Sequence, residues 1–351
     1  MGPAPSCRTA WTAWTAWTAP SVRIAASLML LAASVTACSG PPPASSLPLT
    51  QVQDIPLPGA ASRLDYQALD AGAKRLYIAH LGDGTVHAVD LGAGTVAGTV
   101  PGVSSVHGVT LVPDRHLLLA AASGTNDVAI IDTGSLAVAG RVPAGNTPDG
   151  IAYDPVHGKA YVSNEHDHAE TVIDLATGRA KGSIEIGGEA GNSVFDPVSG
   201  NILVNVQSRG ELLGIDPSTD MVNTRIQLSD CVSNHGLYVD GAEKLAFIAC
   251  EDNAKLLVVD LQSKHVTARF DTGASPDVLA FDQGLHRLYV ASESGVVTVF
   301  DEQDHALVLK ASGKLADNAH TVAVDQRTHR VYFPLQDVNG HPVLRVMDAI
   351  R

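Results

Sequence analysis

An apolar pair followed by aspartate recurs along the chain: Ala88-Val89-Asp90, Ile130-Ile131-Asp132, Val172-Ile173-Asp174, Gly214-Ile215-Asp216, Val258-Val259-Asp260, Val299-Phe300-Asp301 and Val346-Met347-Asp348. The aspartates are 42, 42, 42, 44, 41 and 47 residues apart. Such a period, held over seven copies, means one supersecondary unit repeated, each burying its apolar face on the next.

Each unit reads as four short strands. An apolar run such as Gly150-Ile151-Ala152-Tyr153-Asp154 comes first, then a turn at Asp154-Pro155-Val156-His157-Gly158. A second run, Ala160-Tyr161-Val162-Ser163, follows, then a third ending on the repeated aspartate, then a fourth such as Ala180 to Ile186. The chain is 45% hydrophobic but only 5% aromatic, with 32 glycines, a profile of many short Val/Ile/Leu strands and glycine turns. No long 3.6-residue apolar period occurs after Cys38, so almost no helix is expected. Four antiparallel strands in about 42 residues is the length of one propeller blade. The expectation is an all-β, seven-bladed β-propeller of four-stranded antiparallel blades over residues 50–351. The seventh unit ends at Arg351 without a fourth strand, and residues 51–58 have no first three strands of their own. That N-terminal segment is therefore expected to close the last blade and remove an unpaired edge.

The second strands read Tyr161-Val162-Ser163-Asn164, Tyr289-Val290-Ala291-Ser292, Tyr77-Ile78-Ala79-His80 and Phe247-Ile248-Ala249-Cys250. On these residues the chain resembles the YVTN β-propeller family over roughly residues 50–350. The resemblance implies the architecture and is uninformative about function, because such propellers serve many tasks.

The ends and the charge bound the setting. Residues 1–37 read as an export signal, with Arg8 and Arg23 before an apolar run from Ile24 to Val35 that is too short to span a bilayer. Val35-Thr36-Ala37-Cys38 resembles a bacterial lipobox, which implies lipidation of Cys38; the alternative is an ordinary secretory signal cut nearby. Trp11, Trp14 and Trp17 recur in an unusual n-region, which is consistent with a downstream start codon. Residues 38–49 form a Pro/Ser-rich tether. The expected setting is the periplasm or cell surface, with a lipid anchor as the sole membrane contact and a monomeric state. The formal net charge of −14 argues against nucleic-acid binding.

The residue before each first strand is Asp65, His107, Asp149, Asn192, His235, Asp277 and His320. First strands line a propeller's channel, so these seven side chains are expected to ring one mouth. The ends of the second strands, taken as His80, Glu165, Gln207, Glu251, Glu293 and Gln336, are expected to form a wider polar ring around them. Imidazole and carboxylate together suit a divalent transition metal, with His107, His235 and His320 as its candidate ligands. A histidine beside a carboxylate also suits general base work. The plainer alternative is that these polar residues hydrogen-bond the loops between blades or face channel water. Neighbouring pairs, His107 with Asp149 and Asp277 with His320, are the expected partners.

The cluster Glu165-His166-Asp167-His168 lies on one loop, whose adjacent side chains do not all converge on one ion. No CxxC, HExxH or CxxCH motif occurs. Cys231 and Cys250 flank the start of the fifth first strand and the end of its neighbour, and in an exported protein a disulfide is expected, with two free thiols as the alternative. The leading functional expectation is a binding or scaffold protein. The alternatives are a metal-assisted enzyme of the lyase or lactonase type at the channel mouth, and a redox, metal- or haem-handling accessory protein, which rest on resemblance to propellers with those roles.

Overall fold

The computed structural model describes residues 46–351. The lipobox-like segment and Cys38 lie outside the described residues. Seven four-stranded antiparallel sheets follow one another in chain order, which is the expected seven-bladed propeller. The inner strands are Gln67–Asp70, Val106–Val112, Pro148–Asp154, Ala190–Phe195, Asn234–Asp240, Pro276–Asp282 and Ala323–Asp325, in blades one to seven. Helical structure among the described residues is confined to three-residue 3-10 turns.

The repeated aspartate has a local cause. In blade one the Asp90 carboxylate accepts from the backbone N–H groups of Gly92 and Ala93. Asp174 and Asp260 do the same, and Asp132 and Asp216 accept from the backbone N–H and the hydroxyl of one serine, Ser135 and Ser218. Each nucleates the tight turn between the third and fourth strands, a geometry that short acceptor side chains favour. In blades six and seven the aspartate pairs with arginine instead: Asp301 with Arg287 and Asp348 with Arg330.

The core is divided among the blade interfaces. Each buried apolar cluster draws on two adjacent blades; Tyr77, Ala79 and Ala88 of blade one, for example, pack on Val106, Leu118 and Ala120 of blade two. The tyrosines and phenylalanine that open the second strands, Tyr77, Tyr161, Phe247 and Tyr289, are almost fully buried at these interfaces.

Closure follows the expected route. Strand Leu49–Pro56 pairs antiparallel with His341–Ala349, from Leu49 opposite Ala349 to Pro56 opposite Val343. Arg345 donates to both carboxylate oxygens of Asp54 at 2.8 and 2.7 Å, locking the register. Ile55 and Leu57 then join Leu64, Leu76 and Leu344 in the cluster between blades seven and one.

Candidate functional site

The inner strands carry an irregularity at the same place in five blades. In blade two, Val106 pairs with Ala122 but Val109 pairs with Ala120, so His107 and Gly108 together face one partner residue. Blades three, five and six repeat this at Asp149, His235 and Asp277, and in blade four the two residues are Gly191 and Asn192, so Asn192 stands one place beyond the others. This is a β-bulge, a device that bends a strand and re-aims its side chains. In blades two and five the second bulged residue is a glycine because the next blade comes close. A Cβ at Gly108 would lie 2.1 Å from the Asp149 carbonyl oxygen, and one at Gly236 would lie 1.8 Å from that of Asp277.

Four of these bulged residues, His107, Asp149, His235 and Asp277, join Asp65 and His320 in a closed circuit. His107 Nδ1 lies 2.9 Å from Asp65 Oδ2 and 3.6 Å from Asp149 Oδ1. His235 Nε2 lies 3.6 Å from Asp149 Oδ2 and 3.7 Å from Asp277 Oδ1. His320 Nε2 lies 3.4 Å from Asp65 Oδ1 and 4.0 Å from Asp277 Oδ2. Every imidazole thus stands between two carboxylates, and every carboxylate gives one oxygen to each of two imidazoles. Seven positions cannot alternate in charge all the way round. Blade four breaks the alternation: its pairing puts Gly191, not the expected Asn192, at the ring position, and the Asp149–His235 contact passes over it.

The paired neighbours differ in part from expectation. His107 is closer to Asp65 than to Asp149, and His320 is closer to Asp65 than to Asp277. Asp65 is therefore the most engaged carboxylate. Its burial works to raise its pKa, but the His107 and His320 contacts and the Arg63 charge hold it well below the usual carboxylate range. Asp149 and Asp277 are shifted the other way, raised by burial against the pull of the histidines. Burial opposes protonation of all three histidines. The carboxylates outweigh it, raising His107 and His320 and pushing His235 up to about 9.

Two residues of the mouth were absent from the expected set. Tyr66, next to Asp65, reaches across the channel. Its hydroxyl accepts from Asn192 Nδ2 at 2.8 Å and lies 2.9 Å from His235 Nε2 and 3.3 Å from Asp277 Oδ1. It separates a polar recess of about 160 Å³ from a lower one of about 150 Å³ lined by Val109, Ile151, Leu237 and Leu279. The other blades hold Gly108, Gly150, Asn192, Gly236, Val278 and Thr321 at this position by strand pairing, so a lone aromatic residue was the available signal. Arg63 donates to Glu293 Oε1 at 2.6 Å and places its other nitrogen 3.7 Å from Asp65 Oδ1.

The outer set divides. Glu165 and Glu251 line the polar recess with Arg63, and Glu293 holds Arg63. Burial raises Glu165, and pushes Glu251 up to about 7 although His235 pulls it back. Gln207 bridges the two rings: its amide donates to Glu165 Oε1 at 3.3 Å, and its oxygen lies 3.4 Å from His235 Nδ1. Gln336 accepts from Asn318 at 2.8 Å, beside the loop that carries His320. His80 does not belong to the ring. It is the last residue of its strand, Arg75–His80, whereas Glu165, Gln207, Glu251 and Glu293 each follow the last residue of theirs. A one-residue offset in a strand reverses the face. His80 is accordingly fully buried, with Nδ1 3.0 Å from His87 Nε2 and Nε2 2.9 Å from Ser62 Oγ.

His166 and His168 lie on and just after the 3-10 turn Glu165–Asp167, away from the recess lining. At the rim, Cys231 and Cys250 form a disulfide with Cα atoms 5.3 Å apart.

No known family model matches the chain, and no curated protein matches its sequence. Solved structures do match in shape. The structure of U3-55K has a TM-score of 0.73 at 10% identity, over 85% of this chain and 98% of that one. The hydrazine synthase of Kuenenia stuttgartiensis has a TM-score of 0.70 at 17% identity, over 88% of this chain and 98% of that one. At these identities the likeness establishes the propeller fold alone.

Proposed function

We propose that the protein is an exported propeller of the YVTN type, tethered through Cys38, that binds a small cationic ligand at the channel mouth. The observation that carries this reading is the alternating Asp–His circuit surrounded by further acids. The recess and its margin hold six carboxylates, Asp65, Asp149, Asp277, Glu165, Glu251 and Glu293, against three histidines and Arg63. Even with every histidine charged, a cation is the favoured occupant. Asp149 Oδ1 is also buried without a hydrogen-bond partner among the described residues, its imidazole neighbour His107 standing 3.6 Å away. Buried acceptors without partners are costly, and a ligand that supplies charge or donors relieves the cost. Export and the lipid anchor are supported by residues 1–38 of the sequence.

A second reading, a metal-assisted acid–base enzyme, is favoured by one feature. Glu251, pushed up to about 7, faces the recess beside His235, and a carboxyl so placed exchanges protons near neutral pH.

Thermal unfolding with zinc chloride and, separately, spermidine tests the binding reading. A ligand that binds only the folded state raises stability by about 2.7 kcal/mol at a hundred times its Kd. At least one probe should raise the Tm of the wild type and leave a folded His107/His235/His320→Ala variant unmoved. Equal shifts in both proteins, or none with either probe, would remove the mouth as the binding site.

A further inference from the structure

We propose that Asp65, Asp277 and His320 form a site for a first-row divalent transition metal, an assignment that rests on the reading of the mouth as a cation site. The three side chains are buried, and one ligand atom from each lies within 4.8 Å of the others. His320 Nε2 is 3.4 Å from Asp65 Oδ1 and 4.0 Å from Asp277 Oδ2. Ligands about 2.0–2.2 Å from a tetrahedral ion stand about 3.3–3.6 Å apart, so closing on an ion needs only side-chain adjustments well under an ångström at each residue.

The tautomer of His320 strengthens the assignment. Its Nδ1 lies 3.0 Å from the Asn318 carbonyl oxygen, which can only accept, so Nδ1 carries the hydrogen. A ligating histidine is oriented in this way, with the far nitrogen donating to a carbonyl or carboxylate. Nε2 faces two carboxylates, and once a metal displaces its proton three lone-pair atoms converge on one point. A proton there serves one pair, whereas a metal ion serves all three.

The donor set selects the ion. One imidazole with two carboxylates suits Zn²⁺, Mn²⁺, Fe²⁺ or Co²⁺ and disfavours Ca²⁺, which takes oxygen ligands alone. A second grouping, His235, Glu251 and Asp277, shares Asp277 and is less buried, which gives the ion a route from the rim. Arg63 opposes occupancy, because its nitrogen stands 3.7 Å from the same Asp65 oxygen.

Isothermal titration of the demetallated protein with Zn²⁺, Mn²⁺ and Ca²⁺ tests the site. One Zn²⁺ per chain should bind at micromolar Kd or tighter, with Ca²⁺ at least about 100-fold weaker. His320→Gln and Asp277→Asn should each weaken Zn²⁺ by more than about 100-fold, beyond the loss typical of a supporting residue. Arg63→Gln should tighten it, and Glu170→Gln, remote from the mouth, should not change it. If the ligand variants do not fold, Co²⁺ absorption of the wild type decides: intense tetrahedral d–d bands support the site, and weak octahedral bands overturn it. Absence of stoichiometric Zn²⁺, or binding indifferent to both ligand variants, also overturns it. A mouth-dependent response to spermidine without one to Zn²⁺ would defeat the metal assignment and leave the cation-binding reading intact.

Discussion

One buried pair should contribute an acid-induced loss of stability between pH 6.5 and 4, and His87→Gln should remove that contribution. His87 is almost fully buried on the third strand of blade one and is wired from both sides. Ser62 Oγ donates to Asp83 Oδ1 at 2.9 Å, so it accepts from His80 Nε2–H at 2.9 Å. His80 Nδ1 is then bare and accepts from His87 Nε2–H at 3.0 Å, and His87 Nδ1 accepts from the Thr99 hydroxyl at 3.0 Å. Each ring has one hydrogen and one place for it. A further proton has no acceptor without breaking the chain. Burial first, and then the neighbouring His80, push His87 down to about 4 from an ordinary 6.5.

The unfolded chain therefore takes up a proton in this interval that the folded chain refuses. The contribution of this pair to stability is constant above pH 6.5 and falls as pH drops toward 4. The full shift corresponds to about 3 kcal/mol at 1.36 kcal/mol per unit, of which about 2–3 kcal/mol is reached by pH 4.5. Urea unfolding of both proteins at pH 7.5 and 4.5 measures this. The wild type should lose that amount relative to His87→Gln, at unchanged m. Parallel losses in the two proteins would refute the argument.

Three further outcomes follow from packing and burial. Ile55→Ala in the closing strand should cost about 2–5 kcal/mol by denaturant unfolding, and deleting residues 49–56 should lower the Tm of the whole ring; an unchanged Tm would contradict closure by this strand. Glu170 is fully buried, and burial outweighs its Ser163 hydrogen bond to push it up to about 8, so the folded state holds a proton that the unfolded chain releases above about 4.5. Wild-type stability should therefore fall as pH rises from 5 to 7.5 by up to about 3 kcal/mol relative to Glu170→Gln, and equal slopes would count against this. Gly236→Ala should cost about 1–3 kcal/mol and disturb Asp277, whose carbonyl the new Cβ would meet at 1.8 Å; a crystal structure with an unmoved inner strand would be the contrary result.

The architecture was legible because its cause is local and repeated. The aspartates that mark the period are turn-forming residues, and a turn's demand on side-chain chemistry is written in the sequence wherever the turn recurs. Closure by residues 49–56 was legible from an unmatched strand at each end. The mouth was readable only as a set of positions. The bulge around His107, Asp149 and His235 leaves no compositional trace except a following small residue, and it is the bulge that decides where the side chains aim. His80 was misplaced because strand ends were aligned by rank instead of by face. Tyr66 was overlooked because it lies one place beyond the ring, and its reach across the channel depends on a width that no spacing reports.

The odd number of blades has a consequence for any guest at the mouth. A ring with full rotational symmetry would offer several equivalent seats, and a ligand could occupy any of them. Here blade four presents Gly191 at the ring position, with Asn192 one place on donating to the Tyr66 hydroxyl, and this leaves one arc of the rim uncharged. The mouth thus has a front and a back, and a guest that is not itself symmetric has a single way to face.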